Sequence, residues 1–265
     1  MPYFPQLITG SLAQYPLRIL RRQRAIVNAL PGGERVTAFD GFASELEWEL
    51  TYRGLSSQEA SQLRSLYEAC EGRRGDFVFA DPCGNLLARS EQFDQEPWQS
   101  DPLLAWTAGL NDPFGGTAAM RVQNNTGLPQ YFKQTIAVPA EYETCFSVWA
   151  KSLSADEVLV RRTSGPESVT TAIPIGGDWR RIETAAALAG TTVGVEFTVE
   201  IPGAAAVEFY GAQLEAQRYP SGYKRTLGRA GLYPAARFAS DELAFEADGF
   251  ETFATRIRII ARLAG

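Results

Sequence analysis

From Gly84-Asn85 to about residue 226 no helical period survives. Short runs follow one another instead: "AAMRVQN", "QYFKQTIAV", "ETCFSVWAKS", "EVLVRRTS", "VTTAIPI", "WRRIETAAAL", "VGVEFTVEI" and "AVEFYGAQLEA". Gly, Pro, Asn and Asp punctuate them. Alternation of this kind sends successive side chains to opposite faces of a strand. About eight strands with turn signals at this spacing predict a sandwich or jelly roll.

The flanks read differently. "LRILRRQRAIVNAL" (17–30) predicts a long strand or strand pair ending at Pro31-Gly32-Gly33. "ELEWELTY" (45–52) alternates strictly, with Leu46, Trp48, Leu50 and Tyr52 on one side and Glu45, Glu47, Glu49 and Thr51 on the other. The acidic face is either solvated, lines a wide channel, or meets a basic neighbour. Ser56 followed by Glu59 forms a capping box, and Ala60, Leu63, Leu66, Tyr67 and Cys70 then recur as one apolar helical stripe. Gly72 is the expected stop, with Arg73 and Arg74 beside the negative helix end. "DFVFADP" (76–82) follows as a short strand. Near the other end, "ELAFEA" and "TRIRIIARL" are joined at Asp248-Gly249 as a hairpin. An isolated hairpin is marginal in water, so these strands must join an existing sheet. The economical partner is the first domain. The expected organisation is therefore a discontinuous domain, 1–84 with 227–265, interrupted by an inserted module, 85–226. The fold class is mainly β: a barrel or sandwich with one packed helix, plus an inserted β-sandwich jelly roll.

Composition narrows the chemistry. The 265 residues suit one large domain or two of ordinary size, and 45% hydrophobic residues suit a real core. A net charge of −6 argues against nucleic-acid recognition. Histidine is absent, which removes the usual neutral-pH base and rules out Ser-His-Asp and Cys-His machinery. Cys70, Cys83 and Cys145 are too few and wrongly spaced for a zinc site and odd in number, so reduced, mostly buried thiols are expected. No charged leader precedes an apolar core, and no run approaches the roughly 18 apolar residues of a membrane helix. A soluble product that is not exported by the usual route is expected.

Five stretches carry resemblances. "SSQEASQLRSLYEACEGRRGDFVFADP" (56–82) resembles the helix, Gly-Arg exit and F-x-F-x-D-P strand of phage distal tail proteins and related minor tail-tip proteins, and "RFASDELAFEADGFETFATRIRIIARL" (237–263) resembles their closing strands. Separately, "NLLARSEQFDQEPW" (85–98), "YFKQTIAVPAEYETCFSVWAK" (131–151) and "VEFYGAQLEAQRYPSGYKRT" (207–226) resemble the carbohydrate-binding-type jelly rolls of phage tail and tailspike proteins. The resemblance implies a tail-tube-like barrel with a packed helix, six copies of which form a ring continuing the tail tube. It implies tail tube and tail-hub proteins as partners, a place in the virion tail tip after assembly in the host cytoplasm, and a module binding host surface polysaccharide. The alternative is a stand-alone lectin-like protein or a glycoside-hydrolase accessory protein.

Sugar modules stack ring faces on Trp or Tyr, with amides and carboxylates reading hydroxyls. The candidates are Trp106 and Tyr131, with Gln130 and Asn124 nearby; Trp149 and Trp179 read as core, and Trp98 as structural. Asp101, Asp112 and Glu215 are either solvated turn carboxylates or ligands of a structural calcium. Glu200, Glu208 and Glu215 sit in the binding-module pattern with no pocket-building segment, so no catalysis is expected. Arg18, Arg21, Arg22 and Arg24 form a basic strand face that either is solvated, lines a lumen, or meets Glu45, Glu47 and Glu49 of the next subunit in a ring.

Overall fold

The structure, a computed structural model, describes residues 1–228 and 230–263, without the side chains of 39–43. Arg229, Ala264 and Gly265, which fall in the expected closing segment 227–265, lie outside the described residues. The chain is mainly β. It divides into two compact units, Met1–Phe79 with Tyr233–Gly265, and Ala80–Leu232.

The first unit carries β1 (Arg18–Ala29), β2 (Arg35–Ser56), α1 (Ser57–Ala69) and β3 (Phe77–Ala80), then β14 (Leu232–Phe238), β15 (Phe245–Gly249) and β16 (Thr252–Arg262). They form one sheet in the order β1-β2-β16-β14-β3, with β15 also paired to β16. The alternation in β2 works as read: Trp48, Leu50 and Tyr52 are fully buried. Trp48 lies opposite Ile259 and Leu50 opposite Ile257 on β16, both also buried. Burying a side chain of this size contributes on the order of 1.5–3 kcal/mol. Phe4 and Trp48 pack edge-on against Phe79 at 5.4 and 5.0 Å. The Tyr52 hydroxyl donates to the Leu12 carbonyl at 2.6 Å, and burial pushes its pKa well up.

Helix α1 starts where the capping box places it. Glu59 N donates to Ser56 Oγ at 3.2 Å and Ser56 N returns a bond to Glu59 Oε2 at 2.9 Å. Ala60, Leu63 and Leu66 are its buried stripe. The helix ends at Ala69 with Cys70 as its C-cap, and two left-handed residues then turn the chain away, Glu71 at φ 50° and Gly72 at φ 68°. Arg73 and Arg74 do not serve the helix end as expected. Carboxylates outbid the carbonyls: Arg73 pairs with Asp241 at 2.7 Å, and Arg74 with Glu71.

The second unit carries β4 (Gln99–Ser100), β5 (Leu104–Leu110), β6 (Ala119–Asn124), β7 (Gln130–Pro139), β8 (Thr144–Lys151), β9 (Glu157–Ser164), β10 (Glu167–Pro174), β11 (Arg180–Ala186), β12 (Val193–Ile201) and β13 (Ala206–Glu215). Two five-stranded sheets result, β10-β9-β12-β7-β4 and β11-β8-β13-β6-β5. They face each other across an apolar interior, where Phe132 of one meets Phe209 of the other at 5.4 Å and Phe146 stacks on Phe197 at 6.5 Å. Arg162 crosses that interior at 0% exposure without a carboxylate. Its guanidinium donates to the Thr144 and Thr184 carbonyls of the opposite sheet, and burial lowers its pKa to about 10.

The ends of this unit are clasped together. Asp81 N donates to Gly231 O, and Gly231 N to Asn85 O. A Cβ on Gly231 would meet Gly84 Cα at 3.0 Å, so neither crossing strand has room for a side chain. Asn85 is 2% exposed and uses its whole amide. Nδ2 donates to Ala212 O at 2.9 Å and Lys224 O at 3.1 Å, while Oδ1 accepts from Leu87 N and Leu214 N, both at 3.0 Å. One side chain thus ties the incoming segment, β13 and the outgoing segment. Asn85→Ala is expected to cost about 2–4 kcal/mol, because buried backbone groups lose their partners. Urea unfolding followed by tryptophan fluorescence checks this.

Candidate functional site

The sheet β11-β8-β13-β6-β5 turns one face to the core and one outward. In β8, Phe146, Val148 and Ala150 are buried inside at 1, 1 and 0% exposure. Cys145, Ser147, Trp149 and Lys151 therefore point the other way. Trp149 is thus not the core residue its neighbours promised; it has the opposite parity. It pairs in register with Tyr210 of β13 and Arg181 of β11. Four aromatic rings meet there. Trp149 lies 5.8 Å from Tyr210, 5.5 Å from Tyr223 and 5.3 Å from Phe114, and Tyr210 and Tyr223 are 5.5 Å apart. Phe114, 67% exposed, is the most open of them. The Arg181 guanidinium lies 4.7 Å from the Trp149 ring centre, on its π-face.

Local chemistry fixes each ring. Asp112 accepts from Phe114 N, Gly116 N and Ala118 N at 2.8, 3.0 and 3.2 Å, which folds the loop that presents Phe114. Desolvation opposes the charge on Asp112, but these three amides outweigh it and lower its pKa. Tyr223 rides on Gly211, whose φ is 64°; a Cβ there would meet the Tyr223 ring at 3.1 Å and Trp149 at 3.2 Å. The Tyr223 hydroxyl donates to Glu91 Oε1 at 2.9 Å and meets Ser90 Oγ at 2.8 Å. Gln213 and Glu215, both 0% exposed, hold the strap that carries Tyr223. Gln213 Oε1 accepts from Lys224 N at 2.7 Å; Glu215 accepts from Ser221 N at 2.9 Å and pairs with Lys224 at 3.0 Å. The phrase Y-G-A-Q-L-E is therefore a socket for the outgoing strap, and its polar residues are structural.

Beside the rings on the same face, Glu208 accepts from Arg121 at 2.6 Å and Lys151 at 3.0 Å. Burial opposes its ionisation, but both cations outweigh this and hold the carboxyl below its usual range. The ammonium of Lys151 also lies 4.8 Å from the Trp179 ring centre, which places that half-buried ring here rather than in the core. A hollow of about 190 Å³ opens over Arg121, Lys151, Ser152, Ser154 and Glu208. Aromatic faces and fixed polar groups thus share one surface.

The four residues nominated from sequence do not converge. Trp106 turns inward: its ring stacks on Phe93 at 6.1 Å and meets Phe132 at 5.2 Å, and its Nε1 is buried without a hydrogen-bond partner. Asn124 is 0% exposed and builds a loop, donating to Leu128, Ile201 and Pro202 carbonyls at 2.8, 3.1 and 2.9 Å. Gln130 Nε2 reaches the same loop at Thr126 Oγ1, 3.5 Å. Tyr131 is 43% exposed on β7 of the other sheet, with Lys133 over its ring at 5.7 Å. Strand parity would have separated them and found Trp149.

The carboxylates are also dispersed. Asp101 caps Tyr131 N at 3.2 Å, Asp112 folds its own loop and Glu215 holds the strap. Among the described residues no group of three His, Cys, Asp or Glu side chains could hold a metal ion. Glu200 is tied to Arg161 at 3.2 Å on one sheet while Glu208 lies on the other. In the first unit the expected inter-subunit charge pairs are satisfied within the chain. Arg18 pairs with Glu49 at 3.3 Å, Arg22 and Arg258 clamp Glu47 from the strands on either side of β2, and Arg262 lies 3.9 Å from Glu45. Glu47 is only 3% exposed, so this face of β2 is not simply solvated. Arg21 points to the opposite side, in register with Leu46. Arg24 is also exposed, farther along β1.

No protein-family model matches the chain, and no curated protein matches it. Similar solved structures include the enzymatically active domain of tailspike protein 4 of bacteriophage CBA120, at 16% identity over 52% of this chain and 22% of that one, with a TM-score of 0.41. They include TmCBM61 in complex with β-1,4-galactotriose, at 14% identity over 51% and 99% of the two chains, TM-score 0.39. They also include the CBM22-1 xylan-binding domain of Paenibacillus barcinonensis Xyn10C, at 12% identity over 53% and 100%, TM-score 0.41. Likeness at this level leaves the function to be argued from this chain's own side chains.

Gly211→Ala is expected to force Tyr223 off β13 and to cost about 1–2 kcal/mol, from the left-handed backbone and the ring contact together. The near-ultraviolet circular dichroism of the ring cluster and the urea midpoint should change together.

Proposed function

We propose that the chain is a structural and adhesion component of a phage tail tip, acting by binding and not by catalysis. In this reading the first unit is a ring-forming domain of the distal-tail type and the second is its inserted glycan-binding module. Six copies continue the tail tube, between tube and hub proteins, in a virion assembled in the host cytoplasm. The resemblance of 56–82 and 237–263 to tail-tip proteins supports the setting.

The observation that carries the binding half is the exposed Phe114 with the half-buried Trp149 and Tyr223, backed by the buried Tyr210, beside Glu208, Arg121 and Lys151. Apolar faces of sugar rings stack on aromatic rings, and fixed charged groups make stronger hydrogen bonds to hydroxyls than neutral ones do. The ligand is host cell-surface polysaccharide. One weak site suffices when several project from a ring, because linked sites raise avidity by roughly 10²–10⁴ without a new contact.

A glycan array probed with the full chain, followed by calorimetric titration of the strongest hit, tests this. Phe114→Ala and Trp149→Ala are each expected to weaken binding about tenfold, equivalent to 1.4 kcal/mol, while Tyr131→Ala leaves it unchanged. A blank array, or a hit insensitive to both substitutions, contradicts the proposal.

A further inference from the structure

Strands β1 and β2 run on beyond the part of the sheet that holds the core. Their register continues from Ala25 opposite Phe39 to Ala29 opposite Arg35, and every residue from Arg21 to Ala38 is exposed. This arm carries apolar side chains in water: Ile26, Val27, Leu30 and Val36 are 49, 55, 44 and 53% exposed, and Ile19 at its base 40%. β1 ends the sheet, so its outer row of backbone groups pairs with no described strand. An exposed, partly apolar edge of 12 residues is a template for another strand. At the opposite end of the sheet the chain covers its own edge. Phe4 N donates to Val78 O and Val78 N to Pro2 O, both at 2.9 Å.

Charge identifies what the open edge fits. β1 holds Arg18, Arg21, Arg22 and Arg24 and no acid. Two copies of β1 laid against each other would bring the four arginines of each to one seam; Arg18 and Arg22 are paired with Glu49 and Glu47, but Arg21 of the two copies would still face like charge, which repels across a strand pair. The complementary edge lies on the same unit. Residues 240–251, "SDELAFEADGFE", contain five acids and no base. They include the short strand β15, which pairs with β16, and Phe250, which is 94% exposed. Asp241 and Asp248 are occupied, by Arg73 and by Gly54 N at 3.0 Å, whereas Glu242, Glu246 and Glu251 are exposed.

We infer that the basic edge of the β1–β2 arm in one copy docks on the acidic β15 edge of a second copy. The contact is head-to-tail, so a pair of copies keeps one free basic and one free acidic edge, and repetition closes a ring or extends a filament. The inference rests on the self-assembly half of the proposed function and is independent of glycan binding. It also moves the contact away from the Arg18/Glu49 and Arg22/Glu47 pairs, which are made within one chain.

Sedimentation velocity of the full chain, at concentrations up to about 0.5 mM and at low and high salt, tests it. Wild type is expected to associate at low salt and to dissociate as salt rises. The exposed substitutions Arg21→Glu and Glu246→Arg are each expected to weaken association at least tenfold, and mixing the two variants to restore it. Both variants keep the wild-type urea midpoint. A wild type that stays monomeric throughout overturns the inference. So does Glu246→Arg without effect, or Arg21→Glu that strengthens association, the signature of a β1–β1 seam. Glycan titration of the same samples reads the binding half separately, so loss of one result leaves the other standing.

Discussion

The antiparallel seam between β2 and β16 is the constraint on which the first unit depends. Without β16, Trp48 and Leu50 would lose Ile259 and Ile257, and Glu47 would lose the Arg258 guanidinium that shares it with Arg22. The seam joins strands separated by the whole of the second unit. That separation is cheap for two reasons. Loop-closure entropy grows only logarithmically with length. The intervening unit is compact, with its own two ends held together at Gly84 and Gly231.

Inside the second unit, buried polar side chains hold the framework together where apolar packing cannot specify geometry. Asn85 and Gln213 each satisfy several backbone groups, Glu215 holds Ser221 N and the Lys224 ammonium, and together they fix where the chain leaves the sandwich. Arg162 links the two sheets through the Thr144 and Thr184 carbonyls and the Thr184 hydroxyl, and is charged at a cost, as its lowered pKa records. These residues are spent. Glu208, paired with Arg121 and Lys151, lies by contrast beside the aromatic rings on the outward face.

Much of this was legible in the sequence. The alternation of 45–52, the Ser56–Glu59 capping box and the strand runs between 119 and 215 each occur where local rules put them, because each is decided by neighbours two to four residues apart. The misread residues depend on more distant ones. Trp149 was judged by Phe146 and Val148, yet odd and even positions in β8 face opposite ways. Asn124 looked like a surface amide, but its partners Ile201 and Pro202 lie far along the chain. The arginines of β1 looked available to a neighbour because nothing local reveals that Glu47 and Glu49 sit one strand away.

The central claim is that ligand docks on the outward face of β8 and β13, away from Tyr131 and away from the core. Nitrogen-15 NMR of the tryptophan indoles during titration with the best-binding oligosaccharide tests it most directly. The account predicts that the Trp149 resonance moves with ligand while those of Trp48, Trp98 and Trp106 stay in place. A stationary Trp149, with shifts confined to Tyr131 and its neighbours on β7, would contradict it.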